Sequence, residues 1–208
     1  MLPFIISTTI KPKTLMNRFT SPHGLPFITQ LKKNREKKVN YLINNLKLND
    51  VKDDIVFEKT KTEIKSEILL IPVVFSEPRF VDYEFKEIPL TMQQQLMGMN
   101  RNHYLHNVSF PFIGNTELFS HTPEQGFSFS SSDHGLIIPY DNTLDIEVVL
   151  PELDPEKAIL QAKNLLNMTF QFVNSNNNAV NSWNVITEQR IDEQIKNKRE
   201  ELIRIFGK

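Results

Sequence analysis

Toward the end of the chain, Trp183, Ile186, Ile191, Ile195, Leu202 and Phe206 recur at near-helical spacing between charged residues, with Gly207 next to last. This pattern predicts an amphipathic helix over 179–208 whose apolar stripe must be covered by something. Either the rest of the chain covers it or a partner does. Trp183, Ile191, Ile195, Leu202 and Phe206 are therefore candidate partner-binding residues.

The rest of the chain reads as helix, then strands, then helix. Pro3, Pro12, Pro22 and Gly24 predict an irregular lead-in over 1–25. From Pro26 to Leu48 the residues Phe27, Ile28, Leu31, Val39, Leu42, Ile43 and Leu46 share one helical face. Residues 49–54 are polar and turn-like. The charged stretch Ile55–Glu67 is readable as hairpin or exposed helix, and we assign part of it to strand. Strand signals follow in Ile68–Phe75, Arg79–Ile88, His103–Ile113, Phe127–Ser130, Leu136–Tyr140 and Leu144–Leu150, where apolar residues run together or alternate. Leu90–Arg101 reads as short helix or long loop. Asp154–Pro155–Glu156 is the sharpest local signal: an N-cap acceptor, a proline at the first helical position and an acid near the positive end of the helix dipole. The helix it opens buries Ile159, Ala162, Leu166, Phe170 and Val173, and Asn174–Asn178 is predicted to break it. The expected fold is α+β: an antiparallel sheet of about 5–7 short strands, packed against an N-terminal helix and two C-terminal helices. The expected domain spans 26–178, with 179–208 as a separate helix.

Composition narrows the function. With no cysteine among 208 residues, the chain has no disulfide, thiolate nucleophile or zinc ribbon. Lys+Arg 24 against Asp+Glu 25 gives no overall field for nucleic acid. The one dense basic cluster, Lys32, Lys33, Arg35, Lys37 and Lys38, reads as the solvated face of a helix. Met1–Ile10 is apolar, but it lacks a preceding basic residue and a cleavage site and is short of the ~20 residues that cross a bilayer. A cytoplasmic protein with no membrane partner is expected, with Met1 or Met16 as its start. High Asn, Lys and Ile with little Ala resembles the usage of an AT-rich genome.

Chemical motifs are sparse. Asp53, Asp54 and the Glu63–Ile64–Lys65 triplet, or Asp82 with Glu84–Phe85–Lys86, would suit a metal-dependent nuclease if carboxylates and lysine met at one phosphate. Asp145 and Glu147 share one face of a strand and would suit Mg²⁺, although a wet sheet face gives the same pattern. His103, His106, His121 and His134 would make a zinc site only if three converged. Ser128–Ser132 near Asp133–His134 lack a nucleophile elbow, and no phosphate-cradling glycine loop is present. We expect no cofactor, no metal and no small-molecule ligand. Residues 110–123 pack three phenylalanines and two prolines around Gly114–Asn115; Phe112 and Phe119 are read as core anchors or, alternatively, as rigid contacts for a partner. The expectation drawn from all this is a non-catalytic interaction, sensor or accessory module of a bacterial multi-protein assembly, an antiphage defence system among the options. It would bind a protein partner or itself through its C-terminal helix. A metal-dependent nuclease or phosphodiesterase is the alternative reading, and a phage structural protein a further one.

Overall fold

The computed structural model describes residues 18–20, 24–87, 91–96, 102–123, 136–139 and 141–206. The fold is α+β, as the sequence predicts, and one helix organises it. Helices α1 (Ile28–Asn44), α2 (Leu48–Val51) and α3 (Asp54–Ile68) precede most of the strands. Strands β1 (Arg18–Thr20), β2 (Val74–Phe75), β3 (Arg79–Glu87), β4 (Asn102–Ile113), β5 (Leu136–Ile138) and β6 (Thr143–Leu150), with the short helix α4 (Met92–Leu96) between β3 and β4, make up the β part. Helix α5 (Pro155–Phe206) then runs for 52 residues, a rod of about 78 Å.

β4 is the centre of a four-stranded antiparallel sheet. β2 and β3 line one side of it and β6 the other, while β1 and β5 form a separate antiparallel pair. The main sheet thus has slightly fewer strands than expected. The period-2 pattern of β6 becomes two faces, with Leu144, Ile146, Val148 and Leu150 buried and Asp145 exposed. Antiparallel partners share a face, so His106, Val108 and Phe110 of β4 lie on the same inner face as Val148, Ile146 and Leu144.

Three expectations change. First, 54–68 is helix α3, with no strand in it: Asp53 caps it by accepting from the Ile55 and Val56 amides at 2.8 and 3.2 Å, and Phe57, Ile64 and Ile68 supply a buried stripe. Second, the two predicted C-terminal helices are one, and α5 passes through 174–178 without interruption. Its asparagines are spent on distant backbone. Asn176 is buried and donates to the Leu118 and His121 carbonyls at 2.8 and 2.6 Å. Asn177 accepts from the Val73 amide at 2.8 Å and donates to the Val73 carbonyl at 2.7 Å. Asn184 repeats that two-way grip on Leu70 at 3.2 and 2.7 Å. The carboxamides satisfy the backbone of the buried residues Leu70 and Val73, which belong to no sheet. Third, the lead-in contains a strand, β1; residues 1–17, including Met16, lie outside the described residues, as do the predicted strand 127–130, the serines within 128–132, His134 and 97–101.

The two halves of α5 bury different partners. Ala158, Ala162 and Leu166, all fully buried, bring the first half close to the sheet. Phe170 continues that contact, its ring 4.4 Å from Phe75 and 5.8 Å from Phe110. The second half packs against α1, α2 and α3. Lys65 pairs with Glu188 and Asp192, and Asp54 pairs with Arg199 further along, so α3 runs antiparallel to α5. Arg35 of α1 joins the layers, donating to the Glu67 carbonyl at the end of α3 and to Glu117 at 2.7 and 2.5 Å. Gly114 sits at φ +119°, and a Cβ there would come within 2.5 Å of the Pro72 carbonyl oxygen, so only glycine lets the β4 end meet this connection.

Candidate interaction surface

Most of the stripe on the last helix is covered by the chain itself, with Ile186 and Phe206 left exposed. Trp183, Ile191, Ile195 and Leu202 are buried against the helical layer, and Trp183 donates its indole N–H to Glu36 of α1 at 3.2 Å. Phe112 and Phe119 are buried as well, with ring centroids 4.9 Å apart, and Phe75 packs on both. These six residues are core, because α1, α3 and the sheet fill the space a partner would need. Of the seven candidate partner residues only Phe206, 61% exposed, faces outward.

The residues weighed for chemistry are placed apart. Asp53 caps α3 at its start while Lys65 lies twelve residues on, about 18 Å along the axis, so the two cannot share one phosphate. Lys65 is held by Asp192 and Glu188 at 2.8 and 3.0 Å. Partial burial pulls its pKa down, but the hydrogen bonds and charges of Asp192 and Glu188 outweigh that and leave it above the usual lysine value. It is a tie between helices. Glu84 and Lys86 pair with each other at 3.3 Å, and Asp82 accepts from Asn107. Asp145 and Glu147 lie on the sheet face opposite the core.

His106 is fully buried, and its partners fix its tautomer. Nδ1 donates to the Tyr104 carbonyl at 3.0 Å, and Nε2 accepts the Asp154 amide at 3.1 Å. The histidine thereby joins the central strand to the start of α5. Asp154 itself accepts from the Lys157 amide at 2.9 Å, the capping bond expected from Asp–Pro–Glu. His103 lies on the other face of β4, and His121 donates to the Glu117 carbonyl at 2.8 Å in the 3-10 turn after it. Among the described residues no three His, Asp or Glu side chains gather as a metal site, and no helix is long and apolar enough to cross a membrane.

A different surface emerges where α5 stops covering the sheet. The helix begins beside His106, and β3 and β4 continue past that point toward their connection. Tyr83 and Phe85 pair in register with His106 and Tyr104, so all four share the inner face. Their rings form a cluster: Tyr83 lies 5.9 Å from Tyr104, Phe85 lies 5.4 Å from Tyr104, and Phe80 lies 5.9 Å from His106. Tyr83 and Phe85 nevertheless remain 49% exposed each. On α4, in the connection beyond, Met92 and Leu96 are more than 80% exposed. The alternation of Phe80, Tyr83 and Phe85 is visible in the sequence as a strand signal. What the sequence lacks is where α5 starts relative to that strand, and this decides which aromatics are core.

Comparison with protein families, with curated proteins and with solved structures finds no match to this chain.

Proposed function

We propose that this protein is a non-catalytic interaction module, a sensor or accessory component of a bacterial multi-protein assembly. It docks through the aromatic face of the β3–β4 hairpin and the apolar side chains of α4. The observation that carries this reading is the pair Tyr83 and Phe85, half exposed on the sheet face whose Val108, Phe110, Ile146 and Val148 are core. Aromatic rings on a strand have few rotamers to lose on binding and bring large contact area, which is why such residues anchor interfaces. Several of the described residues weighed for catalysis are engaged elsewhere, Asp53 in a cap, Lys65, Glu84 and Lys86 in ion pairs and His106 between β4 and the start of α5. The test uses Tyr83→Asp and Phe85→Asp in the full chain, purified and also expressed with an affinity tag in its source cells. Both variants are expected to keep the wild-type circular dichroism spectrum and melting temperature while losing the associated protein, or the self-association, that the wild type shows. Variants that keep the same association, or that unfold, would overturn the proposal.

A further inference from the structure

β3 is an edge strand. β4 pairs with it along Arg79–Glu87, and among the described residues no strand pairs with its other side. The backbone groups on that side are a template for a further strand. Little blunts this edge: the bulge lies at its start, between Phe80 and Asp82, and from Asp82 to Glu87 the strand is regular and free of proline and glycine. Tyr83 and Phe85 are half exposed on the inner face, and Asp82 and Glu84 are exposed on the outer one. β6, at the other edge, differs. Its Leu144, Ile146, Val148 and Leu150 are already buried, so a strand added there would cover little further apolar surface.

The residues of β3 select the strand that fits. Antiparallel partners share a face, so when β3 pairs two-fold with its own copy one residue must face its counterpart across the axis. Within the regular segment the axis can fall at Tyr83, Glu84, Phe85 or Lys86. At Tyr83 it sets Asp82 against Glu84 twice. At Phe85 it pairs Glu84 with Lys86 but sets Tyr83 against Glu87, and at Lys86 it brings the two lysines face to face. At Glu84 it sets Tyr83 of each copy against Phe85 of the other, and Asp82 of each against Lys86 of the other. These are two aromatic and two opposite-charge pairs, the kinds of cross-strand pair that stabilise a sheet. The two Glu84 side chains meet at the exposed axis, each 3.3 Å from Lys86 of its own chain.

We infer that β3 pairs antiparallel with β3 of a second copy of this chain, about an axis at Glu84, and joins the two sheets into one. This rests on the hairpin being a docking surface and names what docks there. Pairing brings the two half-exposed ring clusters side by side on one continuous face.

Because the chain has no cysteine, a single introduced thiol locates the axis. Under mild oxidation Glu84→Cys is expected to give a disulfide-linked dimer. Asp82→Cys and Lys86→Cys are expected not to, because like residues there lie about 13 Å apart along the paired strands and a disulfide needs Cα atoms within about 7 Å. In sedimentation the wild type should dimerise, and Asp82→Lys alone and Lys86→Asp alone should each do so at least severalfold more weakly, with unchanged circular dichroism. An equimolar mixture of those two variants should regain the dimer, since every 82–86 pair across a mixed dimer is again of opposite charge. A wild type that stays monomeric at high micromolar concentration, crosslinking at Asp82 or Lys86 equal to that at Glu84, or a mixture no better than its components would each overturn the inference. If the wild type is monomeric while Tyr83→Asp still removes an associated protein of different sequence, the docking surface stands and the second copy falls; if no association depends on Tyr83, both fall.

Discussion

Two aromatic clusters occupy one face of one sheet and have opposite fates. Phe75, Phe110 and Phe112, with Phe119 and Phe170 above them, are packed ring to ring beneath α5. Phe80, Tyr83, Phe85 and Tyr104 show similar ring spacings only a few residues along the same strands, yet Tyr83 and Phe85 stay half exposed. Strand chemistry does not distinguish the clusters; the position of the α5 N-terminus does. His106 and Asp154 mark the boundary, since their hydrogen bond is where helix and sheet part. An aromatic that alternates into a sheet face is thus core or half exposed according to an element encoded some fifty residues later.

The comparison breaks most visibly on the covered side. Phe112→Ala or Phe119→Ala removes a fully enclosed ring and is expected to cost about 3–5 kcal/mol, read as a shift in the denaturant midpoint at unchanged slope. A loss below about 1 kcal/mol would mean the two clusters are equivalent after all. Next comes Asn176→Ala, which leaves the Leu118 and His121 carbonyls without their donor and should cost roughly 1–3 kcal/mol by the same measurement. At the boundary, Asp154→Ala is expected to cost on the order of 1 kcal/mol and Asp154→Ser much less, because serine still caps. Equal losses would show that the carboxylate does something besides capping. The smallest effect belongs to the uncovered side: Phe85→Ser should change stability by only about 0.5 kcal/mol, as exposed positions do.

Local chemistry was legible in the sequence where both partners lie close together in it. Asp154–Pro155–Glu156 opens a helix as read, and the alternation of Ile146, Val148 and Leu150 gives a two-faced strand. Misreadings arose where the partner is distant. Asn174–Asn178 looks like a polar break because asparagine prefers solvent or turns, but Asn176 and Asn177 meet backbone groups 55 to 104 residues away. In 55–67 the charges obscured the Phe57, Ile64, Ile68 stripe, since Lys59, Glu63, Lys61 and Glu58 pair along the exposed side of α3. The stripe on the last helix was read correctly as apolar. Its cover includes α1, whose apolar face is legible in the sequence, and α3, whose face is obscured by charge; what the sequence does not carry is that these faces meet the last helix.

Photo-crosslinking from position 85 tests the division between core and contact surface most directly. A photoreactive phenylalanine analogue at Phe85 is compared, in the cells that make this protein, with the same analogue at Tyr41, an aromatic on α1 that is 67% exposed. The expected result is a single discrete protein adduct from position 85 that is absent from position 41 and disappears when Tyr83→Asp is added to the same chain. The same adducts from both positions, or adducts from position 85 unaffected by Tyr83→Asp, would contradict the assignment of the hairpin as the docking surface.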